Sequence, residues 1–117
     1  MRSIGVYAID AYRAVEVSPM IDPRVFENND LDPRNTPTAV YRDEATSNLT
    51  DATMVNALTD MTVSGNLFVD PMFAAPGDYH LMFASMCANA GTTTGAPALD
   101  MDDDVRDATP DIGADEL

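Results

Sequence analysis

The chain has 117 residues, enough for one domain, and carries 20 acidic residues against 6 basic ones for a net charge of −14. That field weighs against nucleic acid and anionic membrane as partners, since both call for clustered Lys or Arg, and here there is no Lys at all. A 45% hydrophobic content excludes global disorder, and the single cysteine, Cys87, excludes an internal disulfide framework and a thiolate zinc cluster.

Taken in chain order, Ile4 to Ile9 (IGVYAI) is a β-type run of branched and aromatic residues. Asp10, Arg13 and Glu16 interrupt the apolar N-terminus, so it has no secretory h-region, and no apolar run is long enough for a membrane-spanning helix. Asp10 to Tyr12 breaks the first run, and Ala14 to Val17 (AVEV) is a second one with alternation. Pro19 and Pro23 punctuate, and Val25-Phe26 leads into the polar corner Glu27-Asn28-Asn29-Asp30. Residues 31–37 read as a loop, and Ala39 to Tyr41 as a third short strand. A helix is expected over about 50–58, with Thr50 as N-cap and Met54, Val55 and Leu58 on one face. Met61 to Ser64 is an extended link. Sixteen of the acids are Asp and four are Glu, a balance that favours turns over charged helices.

From Gly65 to Leu117, short apolar pieces are separated by Gly, Pro, Asn and Asp at close intervals. No piece can make an ordinary helix, and alternation never lasts, so this stretch orders only against a regular surface. Tyr79 to Phe83 is its best strand, and Asp111 to Asp115 a final extended piece with Ile112 inward. Met72, Met82 and Met86 are expected to fill gaps beneath it.

The successive elements GNLFVDPMF, GDYHL, SMCANAG, ALDMDDDVRD and DIGADEL resemble the C-terminal end of right-handed parallel β-helix proteins of the pectin-lyase-like superfamily. More narrowly, they resemble bacterial surface and secreted proteins that close with DPLF, GDYHL, SPCIDAG and DIGADE elements in that order. Asn28-Asn29 resembles the Asn corners that such helices stack between coils. Met86, Ala88 and Asn89 depart from the SPCIDAG-like element, and Asp103 and Asp107 stand where that pattern has Gly and Pro. The resemblance implies an all-β fold: a right-handed parallel β-helix of few coils with one short helix over residues 1–64, and a loop-rich C-terminal cap over 65–117, in a single domain. It also implies an extracellular or cell-surface location, and a chain corresponding to the last coils and cap of longer proteins. An open first coil would invite self-association through the N-terminal coil.

The sharpest chemical candidate is the run 100–107. Asp100, Asp102, Asp104 and Asp107 present hard oxygen ligands in a turn, as Ca²⁺ requires. The run resembles the first half of a calcium loop, without its turn Gly or bidentate Glu; the competing reading is a solvated acidic turn partly neutralised by Arg106. His80, the only histidine, reads as a surface or edge residue without a defined partner. Cys87 reads as a buried structural thiol. Enzymes of the resembling fold cluster carboxylates with Ca²⁺ and a basic residue. Here Asp10, Asp22, Asp30, Arg13 and Arg24 are the coil-region residues available, and their spacing selects no catalytic pair. The expected role is therefore a non-catalytic structural or binding module. The alternatives are a carbohydrate-active lyase or hydrolase-like enzyme and a calcium-dependent adhesive module.

Overall fold

The computed structural model describes residues 2–3, 7–10, 13–16, 23–32, 34, 41–44 and 46–117, the first three groups as backbone alone. In order these are β1 (Arg2–Ser3), β2 (Tyr7–Asp10), β3 (Arg13–Glu16), β4 (Val25–Glu27), β5 (Tyr41–Asp43), β6 (Ser47–Leu49), α1 (Ala52–Asn56), β7 (Thr62–Ser64), β8 (Phe73–Ala75) and β9 (Asp78–Leu81). They form three small sheets, ordered β1-β4-β7, β2-β3-β5-β6 and β8-β9.

The expected parallel β-helix is not what these strands build. Of six strand pairings, four are antiparallel: β1 with β4, β2 with β3, β5 with β6 and β8 with β9. The two parallel pairings, β3 with β5 and β4 with β7, lie in different sheets. The reason is local. Only Ala11 and Tyr12 separate β2 from β3, and Glu44, in the left-handed region at φ 48°, helps turn β5 back onto β6. Links that short return a strand antiparallel, whereas a solenoid coil needs a long crossover to pair in parallel with the next. Strand content with one short helix does hold. The open face expected on the N-terminal coil, and the strand positions Ile4 to Val6, Ala39 and Val40, lie outside the described residues.

The main core joins Phe26, Tyr41, Leu49 and Val55, with Leu31, Leu58, Met61, Val63 and Phe68 packed against it. Phe26 meets Tyr41 edge to face at 5.2 Å between centroids. Each large side chain removed from water here contributes about 1.5–3 kcal/mol. Helix α1 is shorter than expected, and its N-cap is Asp51, not Thr50. The Asp51 carboxylate accepts the Met54 N–H at 2.9 Å. Val55 alone of its residues is buried, while Met54 faces solvent.

Strands β4 and β7 run side by side and are continued by a buried polar ladder. Asn66 accepts the Asn29 N–H at 3.1 Å and the Asn29 side-chain amide at 2.9 Å. Its own amide donates to the Phe26 carbonyl at 2.8 Å and to Asn56 Oδ1 at 2.9 Å. Gly65 precedes it at φ 63°, where a Cβ would stand 2.7 Å from the Asn28 side chain, so only glycine lets the two passes approach.

Strands β8 and β9 are joined by Pro76-Gly77, with Gly77 at φ 81°, the arrangement of a type II turn. The strand expected over 79–83 ends at Leu81. Met82 and Met86 are 48% and 64% exposed, so they do not fill gaps, and Phe83 is 94% exposed. Residues 84–117 contain turns, bends and one isolated bridge, Leu99 to Val105, and side chains brace them instead of a ladder. Arg106 donates to the carbonyls of Asp111, Gly113 and Asp115 and to Glu116 Oε2. Glu116 accepts the Asp107 and Asp111 N–H groups. Asp111 accepts those of Asn89 and Leu117. Among the described residues no helix is long and apolar enough to cross a membrane.

Candidate functional site

Strand alternation puts Asp78 and His80, two apart on β9, on one side of the hairpin. Asp78 Oδ1 lies 2.5 Å from His80 Nδ1 and also accepts the His80 N–H. On the other side of the ring, Nε2 lies 2.6 Å from Asp102 Oδ2. His80, expected to have no defined partner, has two in the fold. Hydrogen bonding to Asp78 first, and then to Asp102, pushes the imidazole pKa from 6.5 up to about 9, and the same contact holds Asp78 below the usual carboxylate range.

A third carboxylate completes the group. Asp115, buried, accepts the Leu81 N–H through Oδ2 at 2.7 Å. One ligand atom each from His80, Asp102 and Asp115 lie within 4.8 Å of one another, the one such group among the described residues. Three chain segments therefore meet: β9, the acidic turn and the C-terminal tail. The Met101 N–H donating to the Ala114 carbonyl at 2.9 Å ties the last two together.

Of the four Asp residues expected to hold Ca²⁺, only Asp102 belongs to this group. Asp100 faces inward on its own loop, its Oδ1 accepting the Asp102 and Asp104 N–H groups and its Oδ2 that of Glu116. Partial burial raises its pKa, but these three donors outweigh that and leave it below the ordinary value. Asp107 accepts the Thr109 N–H at 2.6 Å. Asp104 is exposed, and its carbonyl accepts the Asp100 N–H. The turn is thus organised by its own carboxylates. Asp115 lies in the DIGADEL element, legible in sequence only as part of the closing pattern, 13 residues from Asp102.

A second feature is a cavity of about 320 Å³ lined by Asp30, Asp32, Phe73, Tyr79 and Cys87, among others. Burial raises the pKa of Asp30, whose oxygens take the Val69 N–H and the Cys87 thiol. Asp32 is lowered by its hydrogen bonds with Arg34. Burial pushes Cys87 up to about 11, as befits the structural thiol expected from sequence. Of the other coil-region candidates, Arg24 is exposed, while Asp22 and the side chains of Asp10 and Arg13 lie outside the described residues.

No family model, curated protein or solved structure matches the chain.

Proposed function

We propose that the chain is a non-catalytic structural and binding module that associates with further copies of itself. The observation that carries this reading is the apolar surface along and after β9. There Tyr79, Met82, Phe83 and Met86 stand in solvent, Phe83 almost wholly. Large apolar side chains left in solvent within one short segment mark an interaction surface. The carboxylates of the tail support the same reading, because Asp100, Asp111 and Glu116 accept backbone N–H groups and so hold the chain's shape. A net charge of −14 repels like copies, so association strengthens as salt is raised.

Light scattering across a salt series, on the native chain and a Phe83→Ser variant, tests this. Oligomers lost in the variant place the contact beside β9. Oligomers retained place it on the N-terminal strands, as expected from the sequence. A monomer at every salt concentration refutes the reading.

One observation favours a second reading, carbohydrate binding or cleavage. The cavity sets Asp30, with its raised pKa, and Asp32, with its lowered one, beside the rings of Phe73 and Tyr79. Carboxylates pushed apart in acidity can divide acid and base roles, and aromatic rings stack on sugars. Incubation with acidic and neutral polysaccharides, read as new reducing ends or unsaturated products, decides it.

A further inference from the structure

We infer that His80, Asp102 and Asp115 form a binding site for a divalent transition-metal ion, with Asp78 orienting the imidazole from behind. The geometry has the parts such a site needs. Its three candidate ligand atoms come within 4.8 Å of one another from three different segments. Around a tetrahedral Zn²⁺, ligand atoms about 2 Å from the metal sit about 3.3 Å apart, so shifts on the order of 1 Å seat the ion. The His80 Nε2 and Asp102 Oδ2 atoms, now 2.6 Å apart, open slightly to admit it.

The far nitrogen already has its partner. His80 Nδ1 is fixed against Asp78 Oδ1 at 2.5 Å, and metal-bound histidines are held by a carboxylate in this way. Asp115 is a carboxylate that packing holds in place: it is 4% exposed, and one of its oxygens accepts the Leu81 N–H at 2.7 Å.

The donor set also selects the ion. One imidazole and two carboxylates suit Zn²⁺, Mn²⁺ or Fe²⁺, whereas Ca²⁺ takes six to eight oxygens and no nitrogen. The site thus differs from the expected calcium loop in both ligands and metal, sharing with it only Asp102. It leaves exposed coordination positions, since His80 and Asp102 are each about half exposed at the side chain. It does not depend on self-association.

The test uses the full chain stripped with EDTA and desalted. Because His80 is the only histidine, its ring protons are a single, unambiguous NMR probe. Mn²⁺ at substoichiometric levels is expected to broaden those signals selectively, and calorimetry with Zn²⁺ to give one equivalent bound, more tightly than Ca²⁺. His80→Ala is expected to abolish that equivalent, and Asp78→Asn to weaken it roughly 10- to 100-fold with the stoichiometry kept. Asp103→Asn makes the same charge change on the same exposed turn outside the site, and is expected to bind as the native chain does. Circular dichroism checks that each variant is folded. Absence of a one-equivalent Zn²⁺ site, equal binding by His80→Ala, or Mn²⁺ broadening spread over the acidic turn without His80 overturns the proposal.

Discussion

Replacing Asn66 with Ala attacks the ladder that joins the two passes of the chain at β4 and β7. Asn66 is 1% exposed and makes four side-chain hydrogen bonds, two as acceptor from Asn29 and two as donor to Phe26 and Asn56. The backbone N–H of Asn29 fixes which end of the amide is oxygen. At a net 0.5–1.5 kcal/mol each, four bonds lost from a buried site amount to about 4 kcal/mol. Asn56 still holds the Asn66 backbone through its N–H and carbonyl, so the link thins without opening. Urea unfolding is the assay: a loss of about 4 kcal/mol lowers the midpoint by roughly 2 M for a chain this size, with the slope unchanged. Asn66→Asp separates hydrogen bonding from cavity formation. It keeps the shape but turns an oxygen toward the Phe26 carbonyl and Asn56 Oδ1, and is expected to destabilise at least as much as Ala. Asn66→Ala costing below about 1 kcal/mol, or Asn66→Asp behaving as native, refutes the ladder as a principal tie.

Three further outcomes are expected. Arg106→Ala breaks a pair with Glu116 whose side chains are 6% and 8% exposed, and is expected to cost about 3–5 kcal/mol by thermal or urea unfolding. Arg106→Lys does not rescue it, because one ammonium cannot span the carbonyls of Asp111, Gly113 and Asp115. The His80 ring, followed by NMR in the metal-free protein, is expected to titrate near 9, and Asp102→Asn to bring it down toward 6.5. Since the folded pKa is the raised one, this contribution to stability is complete below pH 6.5 and is lost as pH climbs from there to about 9. Cys87, 1% exposed and pushed up to about 11, is expected to stay unmodified by a thiol reagent at pH 8 until the chain unfolds.

Local features were legible because local chemistry sets them. Val55 as a buried residue of the helix and the buried Cys87 follow from side-chain size and backbone preference, while Met54, expected on the same face, stands in solvent. The N-cap moved one residue because Asp51 and Thr50 are both competent, and the tertiary path decides where the first helical bond forms. The GDYHL and DIGADEL elements carry no information on how the strands before them pair, so the parallel β-helix they suggest does not form. Hairpin links of two or three residues outweighed that likeness. The surroundings of His80 differ from expectation for another reason. Its neighbour Asp78 was visible two positions away, but Asp102 and Asp115 come from residues 22 and 35 positions further along, brought in by loop braces with no periodic signature.

The burial of Arg106 has a consequence for proteolysis. The chain has no Lys, and beyond Arg42 its only Arg is Arg106, whose guanidinium is held among backbone carbonyls and cannot enter trypsin's specificity pocket. In the native state trypsin should therefore leave residues 43–117 in one piece. A cut after Arg106 records that the C-terminal loops have come undone, so its rate measures how often that happens while the rest of the fold stands.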